Sequence, residues 1–465
     1  MKTPLRPLLA ALLLTACAPV GPDFVRPSSP VLDQWVEANS PTPSSRNGLT
    51  PRSQPVITWW ETFNDPTLNK LVAEAYAQNL DLQIAGARVL QARAQLGIAF
   101  GEMFPQSQAI GAAYTQRQVS ENLGPLQDIE RVTDLDLNFA TAEVGFDAAW
   151  ELDVWGQQRR GVQSARSNLA AQVANYDDAL VTLTGDVAAV YINIRALQEA
   201  LAIARNNIAL QQESFDLTEL RFNNGVTTGL DVQEAATLLN NTRALVPQLE
   251  SELEQAKNAL AVLLGKPPKA LDAMLGSSGR IPTARSTVAV GLPAELLRLR
   301  PDVRAAELEA AAQSAQVGVA IGDLYPQFVL AGRIGCAASE GNTLFTPNSA
   351  TGLASPGVVW TVFNYGCIKN NVRAQDAAFQ ALVANYQNTV LTAYAEVENA
   401  MVGYEKAREA AGMLGRSVES SRRASQIALD QYTDGIADYT RVLNTQEATL
   451  AAEASLVEAR AQVSE

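Results

Sequence analysis

The stretch SNLAAQVANYDDALVTLTGDVAAVYINIRALQEAL, residues 167–201, decides the fold. Its apolar positions are Leu169, Val173, Tyr176, Leu180, Leu183, Val187, Val190, Ile194, Leu197 and Leu201, spaced 4,3,4,3 throughout. That spacing is a heptad seam rather than the broader stripe of a globular helix. No proline occurs between Pro125 and Pro247, so the pattern predicts one helix over about 158–222. At 1.5 Å per residue it is about 95 Å long, far more than a globular domain needs. Gly225 follows, able to take the left-handed conformation that stops a helix, and Thr228 starts a return helix over about 228–264. Gly265 with Pro267 and Pro268 then ends it.

Outward from this hairpin the chain repeats itself. Phe100-Gly101-Glu102-Met103-Phe104-Pro105-Gln106 recurs as Ile321-Gly322-Asp323-Leu324-Tyr325-Pro326-Gln327, an offset of 221. Val173-Ala174-Asn175-Tyr176 recurs as Val383-Ala384-Asn385-Tyr386, an offset of 210, and Phe222 to Gly225 matches Tyr432 to Gly435 at that same offset. Each half therefore has one plan, a first repeat over 59–290 and a second over 291–465. The second long helix is expected over about 368–432, with its return helix over about 438–463. The eleven residues by which the offsets differ lie between the Pro-Gln motif and the long helix of the first half.

Ahead of each long helix the period changes to two. Phe328, Leu330, Gly332, Ile334 and Cys336 alternate with Val329, Ala331, Arg333 and Gly335; Leu135, Leu137 and Phe139 alternate with Asp134, Asp136 and Asn138. Hairpins are expected over about 107–150 and 327–365, although 107–118 alternates poorly. An apolar face opposite a charged one suits strands between lipid and a wet lumen. Four strands cannot close a barrel, and an open edge in hydrocarbon leaves backbone groups unsatisfied, so this reading requires several chains. The fold class is mainly α with a membrane β-barrel portion. A coiled-coil rod or fibre is the alternative that the helices alone allow.

The N-terminus reads as an export signal. Lys2 and Arg6 precede a short apolar core, Leu8 to Leu14, too short to span a bilayer, and Leu14-Thr15-Ala16-Cys17 closes it. Residues 1–16 thus resemble a lipoprotein signal peptide, and that resemblance implies that Cys17 takes lipid. An ordinary signal with a chance cysteine is the plainer alternative. Residues 17–58 hold eight prolines from Pro19 to Pro55 and read as an extended arm. Trp59, Trp60 and Trp150 read either as membrane-interface anchors or, for the first two, as packing beneath that arm.

Composition removes other classes. The net charge of −14 lacks the basic footprint that nucleic acid needs. There is no histidine, and with it go Ser-His, Cys-His and His-metal sites; no P-loop or G-x-S-x-G elbow occurs, and no cofactor or metal is implied. Three cysteines, Cys17, Cys336 and Cys367, are too few for a disulfide scaffold, and the last two stand at opposite ends of the second hairpin.

At full length the chain resembles the outer membrane factors, TolC-like channels, in their NodT-type lipoprotein branch. The resemblance is carried by Cys17 to Pro27 (CAPVGPDFVRP), Trp59 to Leu71, Asn79-Leu80-Asp81-Leu82 and the two Pro-Gln motifs. It is carried also by Trp150 to Gly156 (WELDVWG), Gly291 to Ala305 (GLPAELLRLRPDVRA) and Val362 to Arg373 (VFNYGCIKNNVR). It implies a homotrimer: a 12-stranded β-barrel in the outer membrane above a periplasmic barrel of twelve helices. It also implies a periplasmic adaptor and an inner-membrane pump, most often of the resistance-nodulation-division type, for which the channel is a passive exit duct and no enzyme. Type I protein secretion differs only in the partner. A periplasmic adaptor or coiled-coil scaffold has one helical hairpin between β domains, whereas two hairpins and two strand pairs alternate here.

In such proteins the hairpin tips meet the adaptor and side chains just past them constrict the closed channel. The corresponding tips here are Asn223, Asn224, Gly225, Val226, Thr227 and Thr228, and Thr433, Asp434, Gly435, Ile436, Ala437 and Asp438. The gate positions are Asp231, Glu234, Arg441 and Asn444, where the second repeat departs from the family's usual aspartates, and Cys367 stands where relatives commonly have arginine. Asp231 and Arg441 are expected to latch hairpins across the periplasmic mouth. The plainer role for Asp231 is to complement the dipole at the start of its helix.

Overall fold

A computed structural model of the chain describes residues 19–28, 49–51, 58–118, 120, 138–283, 288–290, 297 and 299–465, those at 49–51 and 288–290 through their backbone. Residues 1–18, including Cys17, and most of the expected arm lie outside the described residues. The elements run β1 (Leu49–Pro51), α1 (Pro66–Gln78), α2 (Leu80–Gly101), β2 (Ser107–Gln118), β3 (Asn138–Leu152), α3 (Gln157–Asn223) and α4 (Gly229–Leu263). They continue as α5 (Asp272–Leu275), β4 (Val288–Val290), α6 (Pro301–Gly322), β5 (Gln327–Ala338), β6 (Ala350–Val359), α7 (Cys367–Thr433) and α8 (Tyr439–Ser464). Both α3 and α7 are unbroken over 67 residues.

These elements form two compact units. The first takes in Arg88–Val173 and Ala305–Tyr386 with the N-terminal segment to Ser28. Its strands form one antiparallel sheet in the order β2-β3-β5-β6, so the two hairpins are joined through β3 and β5. Matched contacts tie each hairpin to the helix before it. Trp150 Nε1 donates to Met103 O at 3.2 Å, and Trp360 Nε1 donates to Leu324 O at 3.1 Å. The second pair is the first moved by 210 and 221 residues, the two repeat offsets. Trp150 is thereby a helix-to-strand tie. The second hairpin ends at Val359, short of the 365 expected, because Trp360 is held by that bond and Tyr365 then turns left-handed at φ 50°.

Residues 19–28 are extended and held in this unit. Arg160, with a side chain only 3% exposed, donates to Val20 O at 3.1 Å, Gly21 O at 3.0 Å and Asp23 Oδ1 at 2.9 Å. Arg26 pairs with Glu307 at 2.7 Å, and Phe24 meets Phe379 edge-on. Hydrogen bonds to a charged donor exceed neutral ones, so Arg160→Ala is expected to cost about 3 kcal/mol of local stability. Limited proteolysis checks this: cleavage within residues 19–28 accelerates in the variant and stays slow in the parent.

The second unit takes in Ala174–Arg304, Gln387–Glu465 and residues 29–87. Its core joins Leu68 and Leu71 of α1, Val187 and Ile194 of α3, and Leu260 of α4, all fully buried. The lower heptad positions of the opening stretch therefore face this core, while Val173 is 43% exposed. Asp65 caps α1 by accepting from the Thr67 and Leu68 amides, and Pro66 begins the helix. Asn79 separates α1 from α2, its amide donating to Leu263 O at 2.8 Å while its oxygen accepts from Leu82 N at 2.7 Å. Trp60 packs on the core and meets Tyr76 and Trp59 edge-on, which makes it a packing residue, while Trp59 is 36% exposed. A short parallel pair, β1 with β4, was not foreseen from the sequence.

Tyr191 is buried, donates to Asp65 Oδ2 at 2.6 Å and accepts from Arg195 Nε at 3.0 Å. Burial, then the bond to Asp65, pushes its phenol up to about 12. A raised pKa favours the neutral phenol in the fold. Its contribution, up to about 2 kcal/mol, is intact below pH 10 and lost as pH rises through about 12. Denaturant midpoints of the parent should fall faster than those of Tyr191→Phe across that window.

Candidate functional site

Register assigns the faces of the sheet. Ile110 lies opposite Phe146, and Phe146 opposite Ile334. With Ala112, Tyr114, Val144, Trp150, Leu330, Pro356 and Val358 they make an apolar face, on which Ile110 is 83% and Ile334 68% exposed. The intervening residues carry the charges. Arg333 reaches Glu143 at 2.9 Å and Asp147 at 3.7 Å, beside Gly111, Gly145 and Gly335. So large an exposed apolar surface backed by an ionic one suits a wall with hydrocarbon on one side and water on the other. Among the described residues of one chain, β2 and β6 each pair on one side only.

Two matched turns lie at the ends of α3 and α7. At the first, Gly225 (φ 74°) donates to Phe222 O and Val226 to Arg221 O, both at 2.9 Å. At the second, Gly435 (φ 75°) donates to Tyr432 O at 3.0 Å and Ile436 to Gln431 O at 2.9 Å. Both are Schellman turns, closed by a residue that tolerates positive φ. Val226 is 61% exposed and Ile436 75%, so each tip presents an apolar side chain to solvent.

The expected gate residues separate by environment. Asp231 serves its own helix start, accepting from the Thr227 hydroxyl and, at 3.4 Å, from the Thr228 amide. Arg441 is exposed at the matching third position of α8, where its backbone amide donates to the cap Asp438 at 3.3 Å. Among the described residues Asp231 and Arg441 form no ion pair within the chain. Glu234 is half-buried, its Oε2 without a hydrogen-bond partner among the described residues, and Asn444 is exposed. Tyr439, at the start of α8, has its phenol held up first by burial, then by the charges of Tyr432, Glu234 and Asp231.

Close to the tips, Arg221 ties one hairpin to the other inside one chain. Its Nη1 donates to Tyr432 O at 2.9 Å and Thr433 O at 3.0 Å, and its guanidinium lies 4.7 Å from the Tyr432 ring centre. A cation at the C-terminal carbonyls of α7 also complements that helix's dipole. Sequence reasoning passed over it. The available signal was the asymmetry of the repeat, which has Gln431 at the matching place.

Further along α3 the seam keeps its spacing but becomes polar. Asn207, Gln211, Ser214 and Thr218 are all buried, as are Gln446, Thr449 and Glu453 of α8. Asn207 donates to Glu453 at 2.7 Å and Gln446 to Ser214 at 2.8 Å, while Arg422 of α7 also holds Glu453. Such pairs fix the register of one helix on another more than they add stability.

Long heptad hairpins, a two-faced sheet with two half-paired strands, and solvent-facing tips define a subunit of a membrane channel that continues below the bilayer as helices. The chain belongs to the outer membrane efflux protein family, whose model matches residues 71–266 and 292–465. It is 31% identical over 462 residues to nodulation protein T of Rhizobium leguminosarum bv. viciae, covering 97% of this chain and 89% of that one. It is also 31% identical to the pyoverdine export outer membrane protein OpmQ of Pseudomonas putida, over 98% of this chain and 93% of the relative. Among solved structures, the outer-membrane channel OprN is similar at a TM-score of 0.88 and 32% identity, covering 96% of both chains. The fold is therefore that of the outer membrane efflux channels, a helical barrel carrying a β-barrel.

Proposed function

We propose that three copies of this chain form the passive exit duct of a tripartite efflux system. Each copy supplies four strands to a twelve-stranded outer-membrane barrel and its helices to a periplasmic α-barrel. A periplasmic adaptor docks on residues 223–228 and 433–438, and an inner-membrane pump of the resistance-nodulation-division type delivers small molecules. The observation that carries this is the sheet, apolar on one face, ionic on the other, and half-paired at β2 and β6. The exposed Val226 and Ile436 support the docking assignment. Export of small molecules, rather than proteins, follows the pyoverdine export named for OpmQ. In this reading the duct performs no chemistry, and Cys17 carries the lipid that anchors the N-terminus.

The gate belongs to the same proposal. Asp231 of one copy faces Arg441 of the next across the periplasmic mouth, with Glu234 and Asn444 beside them. Each exposed pair is worth only about 0–1 kcal/mol, so three symmetric copies make a latch that an adaptor opens readily. Purified full-length protein in planar bilayers tests both levels. A stable trimeric conductance is expected, rising in Asp231→Ala and Arg441→Ala. Monomeric, non-conducting protein overturns the duct, and unchanged currents in both variants overturn the latch alone. Cys17→Ser should lose incorporation of labelled palmitate.

A further inference from the structure

The two repeats are not equally covered, and the difference identifies the seat of a second copy. Where the first repeat meets the second inside the chain, the start of α3 lies on the end of α6. A Cβ placed on Gly318 would meet the Arg160 side chain at 2.9 Å, and one on Gly322 would meet Gln157 at 2.9 Å. Both glycines are buried, and they are what lets the helices approach. Gln157 also donates to Asp323 at 2.7 Å. Just ahead of α3, Trp155 stacks on Tyr325 with ring centres 4.8 Å apart and donates to Pro326 O at 2.8 Å.

Applying the repeat offsets gives the counterpart of every partner. Gly318 and Gly322 become Gly97 and Gly101 of α2, and Tyr325-Pro326 becomes Phe104-Pro105. Gln157 and Arg160 become Cys367 and Asn370 of α7, and Trp155 becomes Tyr365. In one chain this second set is bare. Gly97 and Gly101 have nothing within 4 Å of a built Cβ, Phe104 is 64% exposed, and Tyr365 is fully exposed. The sheet tells the same story: β3 pairs with β5 inside the chain, and their counterparts β6 and β2 are the strands with a free side.

We propose that the start of α7 in each copy seats on α2 of the next, Cys367 and Asn370 against Gly101 and Gly97, with Tyr365 stacked on Phe104 and Pro105. This rests on the assembled-duct reading and names the contact that builds the ring.

Full-length Gly101→Cys protein, oxidised in membranes with oxygen and copper–phenanthroline, tests it. The new thiol and native Cys367 of a neighbour each lose a proton and an electron to the oxidant and form a disulfide. Covalently linked oligomers are expected on non-reducing gels, collapsing with reductant and absent when Cys367→Ser is added. Gln95→Cys, on the opposite side of α2, should give none. Gly97→Cys combined with Asn370→Cys in the Cys367→Ser background supplies an independent pair. A trimer that links through neither pair overturns the seat while leaving the duct intact. Protein that stays monomeric overturns the seat and the assembly together.

Discussion

Ile110→Arg is expected to abolish assembly into the outer membrane, whereas Gly111→Arg, one residue further on, is expected to leave assembly intact. Both lie on β2, opposite Phe146 and Gly145 of β3. The Ile110 side chain is 83% exposed on the apolar face, so its replacement places a guanidinium against hydrocarbon. The cost reaches about 2–4 kcal/mol per arginine at the bilayer midplane and falls toward the interfaces, and a trimer bears it three times. At Gly111 an added Cβ meets nothing within 4 Å, and its face already holds Glu143, Asp147 and Arg333. The arginine there enters the wet lumen, where it should shift conductance toward anions. Outer-membrane fractionation with native gels reads the first effect and reversal potentials the second. Equal tolerance of both variants would show that the faces are wrongly assigned.

The second large effect is expected at Arg221. Substitution by alanine removes two charge-assisted hydrogen bonds to Tyr432 and Thr433 carbonyls and a cation–π contact with the Tyr432 ring. Together these are worth about 2–3 kcal/mol at a half-exposed site. The carbonyls released at the end of α7 can turn to water, so the loss falls on the link between hairpins rather than on the helices. A shift of that size raises the open fraction of a two-state mouth by about 30–150-fold. Arg221→Lys should restore little, since an ammonium lacks the planar face that lies over the ring. Single-channel recordings decide it. Opening frequencies equal to the parent's would mean that the hairpins are held elsewhere.

Much of this architecture can be read along the chain, because it depends on short-range rules. A heptad seam without proline makes a long helix wherever it stands, and a glycine followed by a capping residue ends one. Asp65-Pro66, the Gly225 and Gly435 tips and the Pro-Gln motifs therefore appear at their expected places. Other features escape such reading because they depend on what lies opposite. Residues 107–118 alternate poorly, and the face of Ile110 is set by its pairing with Phe146. Asn207, Gln211, Ser214 and Thr218 keep the seam's spacing, yet a search for apolar positions passes over them. Arg160 carries no local sign that it is buried beneath the arm.

By itself, then, the sequence determined the duplicated plan, the two long hairpins, the strand pairs ahead of them and the need for sister copies. Periodicity and backbone stops act within one element, and identical motifs in both halves must fold alike. The tertiary structure alone decided that Arg221 ties the hairpins near their tips, which face of β2 is apolar, and which half of the repeat contact is filled within the chain. Arg221, Arg333 and the glycine pairs acquire their roles from atoms more than a hundred residues away. Distance along the chain hides such partners, and only packing in three dimensions brings donor and acceptor within reach.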